Sequence, residues 1–154
     1  MKLSDNLSLN EAIKSNTAIK RGIDNNPTEE HLKALRSVAN EVFQPIRDYF
    51  DVPIAVTSAY RSKALNDIIG GSSNSQHCKG EALDLDADVY GKITNKQIFE
   101  YIKENLIFDQ LIWEFGTNDN PNWVHVSYTN KILNRKMILK AYKVNGKTHY
   151  KNIT

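Results

Sequence analysis

Two imidazoles and one carboxylate stand where they could share a divalent metal. His77 and Asp84 lie seven residues apart in Ser75-Gln76-His77-Cys78-Lys79-Gly80-Glu81-Ala82-Leu83-Asp84, with Gly80 between them. A second imidazole, His125, follows in Asn122-Trp123-Val124-His125-Val126-Ser127. Two histidines and a carboxylate leave a position of a tetrahedral ion open for water, which is how catalytic zinc sites are built. Taken singly, each residue has a plain reading: a loop histidine, an aspartate at a strand end, a histidine on a half-exposed strand. Taken together, with a glycine that lets the loop approach and an aromatic-flanked strand that brings back His125, they point to a metal site. Cys78 is the only cysteine. Beside a ligand its side chain turns away, so it reads as a small packed residue, and a lone cysteine excludes an internal disulfide.

The elements that must position these residues follow from pattern. Ser8-Leu9-Asn10-Glu11 has capping-box spacing and opens a helix from about Leu9 to Lys20, ending near Gly22. Thr28-Glu29-Glu30 starts a longer helix along which Leu32, Leu35, Val38, Ala39, Val42, Phe43 and Ile46 share a face. Pro45 should kink it or begin a new turn, because proline removes a backbone donor and crowds the preceding turn. Ile54 to Ser58 suits a strand, with Arg61 just past its end, and Ala64 to Ile69 makes a brief helix closed by Gly70-Gly71.

A polar loop from Ser72 to Gly80 delivers His77. In the alternating run Glu81 to Asp86, Ala82, Asp84 and Asp86 take one side and Leu83 and Leu85 the core side. Thr94-Asn95-Lys96-Gln97 caps a helix with the apolar stripe Ile98, Phe99, Ile102 and Leu106. Asp109 to Phe115 reads as a strand with Leu111, Trp113 and Phe115 inward. Trp123 to Tyr128 returns with Val124 and Val126 inward and Trp123, His125 and Ser127 opposite. Matching the two buried faces puts Glu114 on the same face as His125. Asn145-Gly146 between extended runs marks a terminal hairpin at about residues 136–152.

The whole predicts an α+β fold, helices on one face of a small, mostly antiparallel sheet and the metal cleft on the other, in a single domain spanning residues 1–154. With 20 basic and 18 acidic residues, a formal charge of +2 and no basic run interleaved with aromatics, nucleic acid is not an expected partner. No stretch is apolar and long enough to insert in a bilayer, and the first residues lack the pattern of a signal peptide. A monomer made in the cytoplasm is expected.

Ser75-x-His77-x-x-Gly80-x-Ala82-x-Asp84, then Trp123-x-His125-x-Ser127, preceded by Ser58-x-Tyr60-Arg61-Ser62 with Asn66, resembles the zinc D-alanyl-D-alanine carboxypeptidase family of peptidoglycan peptidases. That family is related to the lysostaphin-type enzymes and the Hedgehog domain. The resemblance covers nearly the whole chain and is closest to the small bacterial and phage branch. It implies one Zn2+ per chain held by His77, Asp84 and His125. It also implies that Arg61 grips a substrate carboxylate or carbonyl, that Trp123 lines the substrate site, and that Ser75 and Ser127 orient the ligands through hydrogen bonds.

One position departs from the pattern. Better-known branches carry an acidic residue three before the last histidine, where this chain has Asn122. An amide cannot take a proton from water, so either the general base is another carboxylate or most of the activity is lost. Glu114 is the choice that register supports, and Asp119 in the connecting turn is the second. The implied activity is hydrolysis of a peptidoglycan stem peptide, at the D-Ala-D-Ala or the L-Ala-D-Glu bond, by an endolysin of phage or prophage type that reaches the cell wall after lysis or with a virion. The alternative, favoured by Asn122, is a zinc-holding but inactive structural or wall-binding module. An iron oxygenase shares the ligand set but needs a barrel of more strands than this chain supplies.

Overall fold

The computed structural model describes residues 1–154. A short ribbon, β1 (Lys2–Ser4) with β2 (Leu7–Ser8), leads into helices α1 (Leu9–Ile13), α2 (Asn16–Arg21), α3 (Glu29–Val38) and α4 (Gln44–Phe50). After these come β3 (Ala55–Ser58), α5 (Lys63–Ile68), β4 (Ala82–Asp86), α6 (Asn95–Asn105), β5 (Gln110–Glu114), β6 (Trp123–Ser127), β7 (Met137–Val144) and β8 (Lys147–Asn152). Six strands form one sheet in the order β3-β4-β6-β5-β7-β8, antiparallel except where β7 runs parallel to β5. The terminal hairpin forms as the Asn145-Gly146 turn predicts, both residues having the positive φ such a turn requires. No helix is long and apolar enough to cross a membrane.

Strand alternation divides the sheet into two faces. Leu83, Leu85, Leu111, Trp113, Val124, Val126 and Ile138 turn to one side and join Leu35, Val42, Phe43, Ile98 and Phe99 of the helices in a single core cluster. On the other side, pairing places Asp84 opposite His125, His125 opposite Ile112, and Ile112 opposite Leu139. The neighbouring row runs Trp123, Glu114, Ala141, Tyr150 across four strands. Register therefore fixes which polar groups meet, since a slip of one residue would send all of them into the core.

One helix expectation changes in form and one is met. The first predicted helix is interrupted at Lys14 and Ser15: Ser15 is extended, its hydroxyl accepts from the Ala18 N–H, and α2 begins afresh before closing at left-handed Gly22. Pro45 stands in the first turn of α4 and so begins a new turn, one of the two outcomes expected of it. A π-helical turn over Ala39–Phe43 joins α3 to α4 and absorbs the missing backbone donor.

One face assignment fails. Phe115 was expected inward with Leu111 and Trp113, but its φ of 56° followed by Gly116 at 71° breaks the alternation. The ring turns to the polar face instead and lies 5.5 Å from Trp123, centroid to centroid.

Fully buried Asn95, at the start of α6, ties the β5–β6 connection to the segment after β4. Its side-chain amide donates to the Pro121 and Asn122 carbonyls and to Asp86, and its Oδ1 accepts from the Ala87 N–H at 2.7 Å.

Gly80, which ends the turn carrying His77, has φ +74°, and a Cβ there would lie 2.6 Å from the His31 carbonyl oxygen of α3. Neither the backbone conformation nor the backbone neighbour can yield cheaply. Gly80→Ala is expected to lower stability by about 1–3 kcal/mol, measured as the shift in the urea midpoint at unchanged slope.

Candidate metal centre

His77 sits in a single 3-10 turn, Gln76–Lys79, whose first N–H groups are capped by Ser75 and whose end is closed by Gly80. Two reciprocal hydrogen bonds lock this turn to the chain after β3: the Arg61 N–H donates to the His77 carbonyl at 3.1 Å, and the His77 ring Nδ1 contacts the Ala59 carbonyl at 2.6 Å. A carbonyl only accepts, so Nδ1 carries a proton and Nε2 is the ring nitrogen that faces Asp84 Oδ1, 3.2 Å away. His125 Nδ1 approaches the same oxygen at 3.1 Å. The three side chains are buried, and their ligand atoms all lie within 4.8 Å of one another.

This arrangement fits a metal ion on its own chemistry. Two imidazole nitrogens converge on one oxygen of a buried carboxylate, and a buried negative charge needs a positive partner, which ring protons or a metal ion held among the three groups can supply. Burial by itself raises the Asp84 carboxyl, but His77 and His125 outweigh it and hold the group far below the usual carboxylate range, in the ionised form a metal requires. The donor set of two nitrogens and one oxygen suits zinc, and the Ala59 carbonyl supplies the outer hydrogen bond that fixes the His77 tautomer. Cys78 is not part of the group; burial pushes its thiol up, away from the thiolate that would ligate.

Around the triad lies a cleft of about 1040 Å³. Its lining includes Arg61, Glu114, Phe115 and Trp123. Arg61 lies with Nη2 3.7 Å from Asp84 Oδ2, and its other nitrogens donate to Ser58 Oγ at 3.2 Å and Asn66 Oδ1 at 3.1 Å. Glu114 is buried one strand beyond His125. Burial is the main cause that brings its carboxyl up to about 7; the Asp84 charge adds to this, while His125 and Arg61 act against it.

Residues 5–127 match the family model described as Peptidase M15. The chain belongs to the peptidase M15 family. It is a metallopeptidase by family, with a candidate metal site at His77, Asp84 and His125. No curated protein matches it. The matched segment of this M15 chain ends at the last residue of β6, so the whole terminal hairpin lies beyond it.

The other residues singled out in the sequence fall as follows. Asn122 is exposed, and its backbone N–H caps the Glu114 carbonyl at 2.9 Å. Asp119 is exposed in the turn, and neither residue lines the cleft. Ser75 accepts from the His77 backbone N–H at 3.2 Å, and Ser127 from the Gln110 N–H at 3.0 Å. Both hydroxyls thus hold backbone, and the orienting contact to a ligand ring comes from Ala59 instead. His31 completes the cap of α3 by accepting from the Thr28 N–H, and its ring lies 4.9 Å from Tyr60. His149 stacks on Tyr142 across the hairpin.

Sequence reading missed Ala59, which acts through its backbone and leaves no side-chain signature, and Tyr150, which enters the cleft from the hairpin. The even spacing of Tyr150 from Thr148, in a strand whose partner was already predicted, was the available signal for Tyr150.

Loading the protein with a divalent metal is expected to stabilise it by about 2.7 kcal/mol at a free concentration one hundred times Kd, seen as a rise in Tm of several degrees. Asp84→Asn is expected to lose this rise, since the amide removes the anionic donor. A variant that still gains the full rise would place the metal elsewhere.

Proposed function

We propose that this protein is a zinc peptidase that hydrolyses peptidoglycan stem peptides, at the D-Ala-D-Ala or the L-Ala-D-Glu bond. The single observation that carries the reading is Glu114: a buried carboxylate facing the same cleft as the His77, Asp84 and His125 group, in a chain where Asn122 stands in place of the usual acid. One zinc ion per chain would be held by these three residues. When bound, zinc supplies Lewis acidity for a scissile carbonyl and brings the pKa of water down to about 7.

The chain's own groups supply the rest. Glu114 accepts the proton of the attacking water on its carboxylate and passes it to the leaving nitrogen. Its raised carboxyl makes it able both to take and to return that proton, and a divalent cation bound nearby would draw the value back down. Arg61 stands at the rim with its guanidinium already oriented by Ser58 and Asn66, ready to grip a substrate carboxylate or carbonyl. Trp123 and Phe115 form an aromatic wall against which the apolar parts of a peptide pack. A wall substrate suits a phage or prophage lysin made in the cytoplasm and acting after lysis or delivery.

The test is a mass-spectrometric digest of purified peptidoglycan fragments by zinc-loaded protein, beside His77→Ala and Glu114→Gln. Loss of one alanine from pentapeptide stems identifies the carboxypeptidase, and stems freed after L-alanine identify the endopeptidase. Glu114→Gln is expected to lower kcat by about 10²–10⁴-fold, the usual share of a general base. Full turnover in that variant would remove Glu114 from the chemistry. Intact fragments beside retained zinc would replace the enzyme with a zinc-holding wall-binding module.

A further inference from the structure

We infer that Tyr150, carried by the terminal hairpin outside the family-matched segment, is a hydrogen-bond donor to the ligand atoms that occupy the cleft beside the metal group. The inference rests on the zinc peptidase reading for its substrate but on register for its geometry. Tyr150 pairs with Ala141, Ala141 pairs with Glu114, and Glu114 pairs with Trp123, so all four side chains emerge on one face in one row. Ala141, fully buried, contributes only a methyl group, so no larger side chain stands in this row between Tyr150 and Glu114. Tyr150 and Thr148, two residues apart on β8, both line the cleft, as alternation requires.

A phenol suits the place. The triad and Glu114 offer the centre of the cleft a run of acceptors, which Arg61 meets with donors from the β3 side; Lys131 and Arg135 also line the cleft but are each paired with a carboxylate, Glu30 and Asp109. Tyrosine adds a neutral donor from the opposite wall, where it can meet a carbonyl oxygen whose negative charge grows during hydrolysis. After its own burial, the Glu114 and Asp84 carboxylates are what push the Tyr150 phenol up, in keeping with its facing both and keeping its proton for donation. Tyr142, the other hairpin tyrosine near this row, does not line the cleft, stacks on His149 and serves as an internal control.

The test uses the full zinc-loaded chain and acetohydroxamate, a small oxygen-donor zinc ligand, titrated by calorimetry. Tyr150→Phe is expected to bind acetohydroxamate about tenfold more weakly, with zinc affinity unchanged, while Tyr142→Phe matches wild type in both. On a cleaved peptide, Tyr150→Phe lowers kcat by about a hundredfold and leaves KM nearly constant. Equal acetohydroxamate affinity in Tyr150→Phe and wild type would overturn the assignment, and so would equal loss in Tyr142→Phe. Weakened binding without any peptide cleavage by wild type would keep Tyr150 in its role and overturn the peptidase reading alone. Zinc-loaded wild type that takes up no acetohydroxamate would overturn both.

Discussion

One oxygen atom, Oδ1 of Asp84, organises this molecule. Two imidazole nitrogens approach it at 3.2 and 3.1 Å inside a site nearly closed to water. Groups so placed repel or attract according to where the positive charge lies, and the chain determines part of that answer itself. The Ala59 carbonyl accepts a hydrogen bond from His77 Nδ1, which leaves Nε2 aimed at the carboxylate. The capped turn after Ser75, the left-handed glycine and the bond from the Arg61 N–H to the His77 carbonyl all serve to hold that opposition in place. Positive charge among the three groups balances the buried carboxylate, and a divalent cation can supply it.

Much of this was legible in the sequence, for a reason that can be stated. Period-two alternation in Ala82–Asp86 and Trp123–Ser127 forces Asp84 and His125 onto the faces opposite their leucines and valines, and burial of those apolar residues leaves no other register. The same logic carried Glu114 to the cleft. It broke down at Phe115, because alternation holds only while φ stays extended, and a side chain that enters the left-handed region changes sides. It also broke down at the first helix, where Ser15 had a better use as a fresh cap than as a continuing helical residue.

What sequence could not show was backbone chemistry. Ala59 has nothing in its side chain to mark it, yet its carbonyl decides a tautomer. Ser75 and Ser127 have hydroxyls that invite a role at the ligands, yet each is bound to an N–H that the local turn or strand start leaves unpaired. Arg61 lies between these cases: its position beyond β3 was evident, while its hold on Ser58 and Asn66 depends on how α5 folds back.

The strand order has a dynamic consequence. The metal group and Glu114 stand on β4, β6 and β5, which pair on both sides and carry the core on their backs. β8 is the outermost strand, exposed at each of its six positions and bonded only to β7. Local opening begins where protection is least, so exchange of amide hydrogens in β8 runs ahead of that in the central strands. The floor of the cleft thus stays in register while the wall beyond it yields, so the cleft can widen at its outer edge with the metal geometry intact.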